Sequence, residues 1–272
     1  MKISGNTILI TGGTSGIGLE LASQFLKLGN TVIITGRDQT KLDDVRRKLP
    51  ELHAVQSDVS DPKSIPVLFE KITKEFPQMN VLINNAGIMR RLNLHSQAGD
   101  LEDITKEIEI NLMGPIRMVK QFLPALKTQA TAAIVNVSSG LAFIPFAIAP
   151  VYSATKAGLH SYTQTLRLQL KKTNVKVFEL APPATETPLL RGDFTAKELS
   201  GVKPMPVQTL AQHAIKGIKN DKMEIRPGLS NVLKLMSRIT PQFMLNQLGK
   251  SVDDMLAESG NWVSATVRCT SG

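Results

Sequence analysis

The chain has 272 residues, of which 42% are hydrophobic, 20% are charged and one is a cysteine, and its formal net charge is +9. This length and apolar content suit one large α/β domain, and a single cysteine excludes an intrachain disulfide framework, as expected in a reducing cytoplasm. With no run of 18 apolar residues and no apolar leader at the start, the sequence predicts neither a membrane span nor secretion.

The positive charge does not by itself indicate a nucleic-acid partner. The lysines and arginines are scattered, and the chain has only two tyrosines and one tryptophan to stack on bases, so no nucleic-acid binding is expected. The histidines lie far apart and lack the spacing of zinc ligands, so no metal site is predicted. The four are His53, His95, His160 and His213.

Short apolar runs alternate with amphipathic helical segments along most of the chain. Strands are predicted at 8–10, 31–35, 53–59, 81–83, 133–137, 175–180 and 223–225. Helices are predicted at 17–28, 41–49, 62–76 with Asp61 as N-cap, 101–126 with a bend near Gly114-Pro115, 151–171 and 207–218. This alternation predicts right-handed βαβ crossovers and a parallel sheet covered by helices on both faces.

The C-terminal third carries features beyond this alternation. No linker precedes residue 184, so residues 1–256 are predicted to form one domain, with a substrate loop at about 184–206. An amphipathic segment at about 229–250, interrupted by Pro241, is expected to shape the substrate site through lid or oligomer contacts; binding to an anionic lipid surface is the weaker alternative. Residues 257–272 are predicted to be a flexible tail.

A glycine-rich segment, Thr11 to Gly18, lies between the first predicted strand and the first predicted helix. Such a turn directs backbone N–H groups and the positive end of a helix at an anion, usually a dinucleotide pyrophosphate, although glycines also end strands for structural reasons. Gly12 permits the turn, Gly16 lets the backbone approach the phosphates and Gly18 lets the helix pack on the strand. The predicted cofactor-binding residues here are Gly12, Thr14, Ser15, Gly16, Ile17 and Gly18.

Polar residues cluster where other predicted strands end. Tyr152 and Lys156 are four residues apart on a predicted helix and share one face, so the ammonium is expected to lower the tyrosine pKa; a surface pair is the alternative. Ser139 follows the fifth strand and the segment 84–87 follows the fourth, at the edge where such sheets bind ligands. Asn111 lies within a predicted helix, although asparagine is a polar residue of middling helix propensity. The simplest explanation is a buried amide whose hydrogen bonds are satisfied.

In order and spacing, these motifs resemble the short-chain dehydrogenase/reductase family from residue 6 to about 190. The residues that carry the resemblance are the glycine turn, Asn84-Asn85-Ala86-Gly87, Asn111, Ser139, Tyr152 and Lys156. Residues 137–157 and 179–183 further resemble the DltE-like branch, whose bacterial members often lie near lipoteichoic-acid D-alanylation genes. The resemblance implies a Rossmann-type, doubly wound parallel sheet in three αβα layers that binds NAD or NADP.

The resemblance also implies roles for individual residues. Tyr152 would donate or accept the proton, Ser139 would hold the substrate carbonyl oxygen, Lys156 would bind the nicotinamide ribose, and Asn111 would position a water in a proton relay. Further cofactor contacts are implied for Asp58, Val59, Asn85, Ala86, Gly87, Pro182 and Thr187. One departure is Pro183, which stands where the family usually has glycine, so the chain must leave the sixth strand differently.

The residues after the second strand bear on the choice of cofactor. By resemblance, Gly36 occupies the position of the acid that binds the ribose of NAD, and Arg37 the position that meets the 2′-phosphate of NADP. NADP is therefore favoured and NAD remains an alternative. Asp38 is expected to be a helix N-cap, and a ribose ligand is its alternative role.

The resemblance also implies that the apolar segment between Ser139 and Tyr152 lines the substrate pocket, with Met89 after the fourth strand and Leu189 in the substrate loop expected to add to its wall. The predicted pocket residues are Met89, Leu141, Phe143, Phe146 and Leu189. They favour a carbonyl reductase or alcohol dehydrogenase that transfers hydride between the nicotinamide and an apolar ketone, aldehyde or secondary alcohol. Arg90-Arg91 is expected to be solvated surface, with an anionic substrate end as the alternative. A cofactor-binding redox sensor or scaffold is the alternative function. By resemblance, helices 101–126 and 151–171 would form a homodimer or homotetramer.

Overall fold

A single parallel sheet organises the computed structural model, which describes residues 1–95, 100–195, 198 and 203–258. Over these residues the sheet has the strand order β3-β2-β1-β4-β5-β6-β7, and every pairing is parallel. The strands are β1 (Thr7–Thr11), β2 (Thr31–Gly36), β3 (His53–Gln56), β4 (Met79–Asn84), β5 (Ala132–Val137), β6 (Val175–Leu180) and β7 (Glu224–Ile225). The predicted parallel sheet and its seven strands are confirmed, with β3 ending earlier than expected.

Helices cover both faces of this sheet. They are α1 (Gly16–Lys27), α2 (Gln39–Lys48), α3 (Ser64–Glu75), α4 (Leu101–Ile108), α5 (Gly114–Thr128), α6 (Pro150–Gln169), α7 (Val207–Lys219), α8 (Leu229–Ile239) and α9 (Pro241–Glu258). In β1, Ile8 and Ile10 pack against α1, α2 and α7, whereas Leu9 packs against the helices of the other face. Because side chains alternate along a strand, one apolar run supplies both cores, which confirms the doubly wound, three-layer fold.

The long predicted helix at 101–126 is not continuous. A π-helical turn, Glu109–Met113, separates α4 from α5, so the irregularity lies one turn before the predicted bend at Gly114-Pro115. We attribute the π-helical turn to the buried Asn111, whose side-chain amide makes hydrogen bonds with the backbone of Ile88 and with Thr155. Such an inserted side chain interrupts the regular α-helical pattern.

Two other boundaries differ from the sequence prediction. Helix α3 begins at Ser64, and Asp61 accepts a hydrogen bond from Lys63 N in the preceding turn, so the predicted N-cap is wrong. Pro241 interrupts the amphipathic segment as expected, but α9 runs on to Glu258, two residues into the predicted tail. The rest of that tail lies outside the described residues.

Candidate active site

One cavity of about 490 Å³ lies at the carboxyl edge of the sheet, where β1 and β4 send their connections to opposite sides. It extends from Arg37 and Lys41, after β2, to Tyr152 and the C-terminal helices. The predicted cofactor residues that line it are Gly12, Thr14, Ser15, Gly16, Ile17, Arg37, Asp58, Val59, Asn85, Ala86, Gly87, Tyr152, Lys156, Pro182 and Thr187.

The turn between β1 and α1 has the geometry that its glycines require. Gly12 has φ +66°, and a Cβ at this position would lie 2.7 Å from Ala86 Cα. A Cβ on Gly18 would lie 2.5 Å from the Gly12 carbonyl oxygen, so Gly18 is a packing residue behind the turn and not part of the cavity wall. Ser15 caps no N–H of α1 with its side chain, which leaves the first-turn N–H groups facing the cavity for an anion.

Asn85 holds this turn in place from the neighbouring strand. Its Nδ2 donates to the carbonyl oxygens of Thr11 and Gly12, each at 3.0 Å. Thr11 Oγ1 in turn accepts hydrogen bonds from the backbone N–H groups of Asn85 and Ala86. The ends of β1 and β4 are therefore joined by side chains where the glycine-rich turn begins.

At the β2 end of the cavity, Asp38 has a structural role. Its Oδ1 accepts from Lys41 N at 3.2 Å, which makes it the N-cap of α2, as the sequence predicted. Arg37 and Lys41 both line the cavity. Lys41 was missed in the sequence, because it lies in the first turn of α2, after the Asp38 cap, and only the path of the chain from β2 into α2 brings it to the cavity wall.

Tyr152, Ser139 and Lys156 meet at the centre of the cavity. All three are buried, and Lys156 Nζ lies 5.6 Å from the centroid of the Tyr152 ring and donates to Val137 O at 2.9 Å. Burial raises the pKa of Tyr152 to about 12, and a hydrogen bond with Ser139 only partly opposes this. Burial also lowers the pKa of Lys156 to about 8. The predicted lowering of the tyrosine pKa by the lysine is therefore wrong for the protein alone, because burial penalises the charged phenolate and the nearby Glu107 carboxylate raises the pKa further.

Asn111 lies behind these residues and does not line the cavity. Its Oδ1 accepts from Ile88 N at 2.9 Å, and its Nδ2 donates to Ile88 O at 2.8 Å and to Thr155 Oγ1 at 3.2 Å. The side chain is thus a satisfied buried amide that joins the segment after β4 to α6. A role in a proton relay stays a prediction.

Apolar side chains form the opposite end of the cavity. Met89, Leu141, Phe146 and Leu189 line it as predicted, but Phe143 does not. The Phe143 ring instead packs edge-on against His160 and lies under Lys234 Nζ, because the short 3-10 helix before it turns the side chain away. Leu229, Leu233 and Leu248 also line this end; they belong to the C-terminal amphipathic segment that was expected to shape the substrate site, although none of them was among the predicted pocket residues.

The arginine pair after Met89 is bound to acidic side chains. Arg90 Nη1 lies 2.8 Å from Asp103 Oδ2, and Arg91 Nε lies 2.6 Å from Glu198 Oε1. These ion pairs are half-buried, so the expectation of solvated surface is wrong. Neither arginine lines the cavity, and the structure gives no support to an anionic substrate at this position.

The chain leaves β6 through Pro182 and Pro183 without a glycine. Pro182 O accepts from Gly140 N at 2.7 Å, which ties this segment to the residue after Ser139. Beyond the prolines, Thr185 pairs with Met205 in an isolated parallel bridge, and Thr187 returns to the cavity wall. Thr187 therefore lies at the cavity wall, where the sequence predicted it.

The fold and the site together define a Rossmann-type oxidoreductase. A family model described as short chain dehydrogenase matches residues 6–198, and the chain belongs to that family. The uncharacterized oxidoreductase DltE of Bacillus subtilis is 44% identical over 225 residues, which are 83% of this chain and 89% of that protein. The predicted similarity to the DltE-like branch is therefore confirmed.

Solved structures support the same fold. A short chain dehydrogenase from Burkholderia cenocepacia in complex with NADP has a TM-score of 0.78 at 24% identity, covering 91% of this chain and 99% of its own. A relative from Burkholderia phymatum in complex with NAD has a TM-score of 0.77 at 22% identity, covering 88% and 95%. Proteins of this fold thus bind either cofactor. Within the described part of the chain, no helix combines the length and apolarity needed to cross a bilayer.

Proposed function

We propose that the protein is an NADPH-dependent carbonyl reductase that acts on apolar ketones or aldehydes and, in reverse, on secondary alcohols. The observation that carries this proposal is a cavity in which Ser139, Tyr152 and Lys156 lie between a cationic end and an apolar end. A dinucleotide fits the cationic end, and an uncharged carbonyl compound fits the apolar end.

The cofactor half of the proposal rests on the donors of the glycine turn and on two cations. The first-turn N–H groups of α1 would hold the pyrophosphate, and Lys156 would hold the nicotinamide ribose. Arg37 and Lys41 would bind the 2′-phosphate, where a planar guanidinium binds two oxygens. A bound nicotinamide supplies the hydride.

The protein's own residues supply the proton and orient the carbonyl. Because burial holds the pKa of Tyr152 near 12, its phenol stays protonated at neutral pH and serves as the acid that reduction requires. Ser139, hydrogen-bonded with Tyr152, gives the carbonyl oxygen a second donor. Asn111 would support the relay that returns a proton to Tyr152.

The walls of the apolar end define the substrate class. Apart from Lys156, the described side chains that line this end carry no charge, and the nearby arginines are occupied by Asp103 and Glu198. A charged substrate would lose its hydration there without gaining a partner. Uncharged aryl and alkyl carbonyl compounds are therefore the expected substrates.

A panel of carbonyl compounds tests the proposal directly. NADPH oxidation, followed by absorbance, should be fastest with aryl and alkyl ketones or aldehydes and roughly 10-fold or more slower with carboxylated analogues of equal size. Tight NADPH binding without turnover of any carbonyl compound would contradict the proposal and favour the cofactor-binding sensor.

Reduction should also lose efficiency as the pH rises through about 8. Burial places the pKa of Lys156 near 8, so the ammonium that binds the ribose is present below this pH and is lost above it. The kcat/KM for NADPH reports the free enzyme and should show this descending limb, whereas the Tyr152 phenol stays protonated throughout. In the Lys156→Met variant the residual activity should lack the limb, and a wild-type profile that stays flat above pH 8 would contradict the assignment.

The C-terminal helices should set the size of substrate accepted. Leu248 on α9 lines the apolar end, so Leu248→Trp should raise KM roughly tenfold for bulky aryl ketones and leave small ketones and NADPH unaffected. Leu245→Trp is the matched control, because Leu245 is on the same helix but exposed and outside the cavity. Equal effects of both variants would mean that α9 acts on the fold and not on the pocket.

A further inference from the structure

A buried carboxylate outside the catalytic set lies directly behind Ser139. Glu179 on β6 is 1% exposed, and it accepts a hydrogen bond from Ser138 Oγ at 2.5 Å. His160 Nδ1 contacts both of its oxygens, at 2.7 and 2.9 Å. An unpaired carboxylate is unfavourable in a protein interior, so these contacts offset the cost of burying Glu179. They do not by themselves explain why a carboxyl group lies at this position.

The two partners of Glu179 belong to the two elements that carry the catalytic residues. Ser138 immediately precedes Ser139 at the end of β5. His160 lies on α6, four residues after Lys156 and eight after Tyr152, and this spacing places all three on one face of the helix. Glu179 therefore connects α6, which carries the proposed proton donor Tyr152, to the end of β5, where Ser139 would bind the carbonyl oxygen.

A second contact joins the same two elements. Lys156 Nζ donates to Val137 O at 2.9 Å, one residue before Ser138. The position and rotation of α6 relative to residues 137–139 are thus fixed at two points along the helix. The separation of the Tyr152 and Ser139 hydroxyl groups depends on both.

The network continues to the helix that closes the substrate end. In the tautomer with the proton on Nδ1, His160 Nε2 is an acceptor, and both Gln164 Nε2 at 3.0 Å and Lys234 Nζ at 3.4 Å lie within reach of it. Lys234 also contacts Glu224 and the face of the Phe143 ring. Its neighbour Leu233 lines the cavity, so α8 is connected to Glu179 through His160.

We infer that Glu179 and His160 are positioning residues for the proposed reductase, and that Lys234 links them to the substrate-binding helix α8. The inference rests on the proposed function and adds residues to which no role in it has been given. The network keeps Tyr152 and Ser139 at the separation in which both reach one carbonyl oxygen. Misplacement of reacting groups by about 1 Å lowers turnover by roughly 10²-fold, which sets the expected effect.

Glu179→Gln tests this inference, because it keeps the shape but replaces one acceptor oxygen with a donor facing Ser138 or His160. The expected result is a 10- to 100-fold lower kcat for ketone reduction, with the KM for NADPH and the Tm close to wild type. Lys176→Gln is the matched control: Lys176 lies on the same strand but pairs with the half-exposed Asp221 away from the cavity, and its kcat should not change.

A double-mutant cycle separates positioning from general support of the fold. Lys234→Gln should lower kcat less than Glu179→Gln does. In the double variant the loss of kcat should be smaller than the product of the two single losses, because both residues act through His160. Ser138→Ala removes only the hydroxyl that donates to Glu179 and provides the same kcat-against-KM comparison if Glu179→Gln does not fold.

The possible outcomes separate the inference from the proposed function. If the wild type reduces ketones and Glu179→Gln has an unchanged kcat, only the inference is wrong. A parallel loss of kcat, NADPH affinity and Tm would mean that Glu179 merely stabilises the fold, which also overturns the inference. If the wild-type protein reduces no carbonyl compound, the proposed function fails first and the inference fails with it.

Discussion

Tyr152→Phe is expected to lower kcat for ketone reduction by roughly 10²–10⁴-fold while the Kd for NADPH stays within about twofold of wild type. The substitution removes the phenolic proton and almost nothing else, since the ring packs with Phe194, Met255 and other apolar side chains that phenylalanine also satisfies. Stopped-flow or steady-state turnover gives kcat, and fluorescence titration of NADPH gives the Kd.

The chain offers a matched control on the same helix. Tyr162, the other tyrosine, is half-buried against the apolar core between the sheet and helices α3, α5 and α6. It lies outside the cavity, so Tyr162→Phe should keep wild-type turnover. Lys156→Ala should lower both turnover and NADPH affinity, because Lys156 is assigned two roles. A near wild-type kcat for Tyr152→Phe with a good ketone would refute the proposed mechanism.

Arg37→Ala should raise the KM for NADPH by roughly 10²-fold and change the KM for NADH by no more than about twofold. A guanidinium that binds two phosphate oxygens contributes a few kcal/mol when it is partly desolvated, and NADH lacks the phosphate. Lys41→Ala should act in the same direction with a smaller effect, because an ammonium binds phosphate as a point charge.

Asp38 provides the comparison that decides between the two cofactors. Its carboxylate caps α2, so Asp38→Ala should destabilise the protein by about 1 kcal/mol and leave the preference for NADPH intact. A preference of the native enzyme for NADH, or equal effects of Arg37→Ala on both cofactors, would assign the ribose contact to Asp38 instead.

Much of the site was predictable because its signals are local. The glycine turn, the helical spacing of Tyr152 and Lys156, and Ser139 at a strand end each follow from one element and its period. The cap at Asp38 was predictable for the same reason, since a short acidic side chain before a helix bonds its own first turn.

The misplaced residues depend on contacts between distant segments. Phe143 is as apolar as its neighbours, and only the packing of α6 and α8 shows that its ring faces His160 and Lys234 instead of the cavity. Arg91 is paired because the chain returns Glu198 to it more than a hundred residues later. The tyrosine pKa was misjudged because burial cannot be read from a helical spacing.

By itself the sequence determined the layered α/β fold, the place of the glycine-rich turn and the choice of Tyr152 as the proposed proton donor, because hydrophobic period and residue spacing are properties of single elements. The tertiary structure alone decided which side chains meet: Lys41 beside Arg37, Leu248 at the apolar end, and Glu179 between Ser138 and His160. The meetings at Leu248 and Glu179 join segments that lie far apart in the chain, Ser138 and Glu179 being 41 residues apart. Burial, charge pairing and pocket shape arise only when such segments pack together.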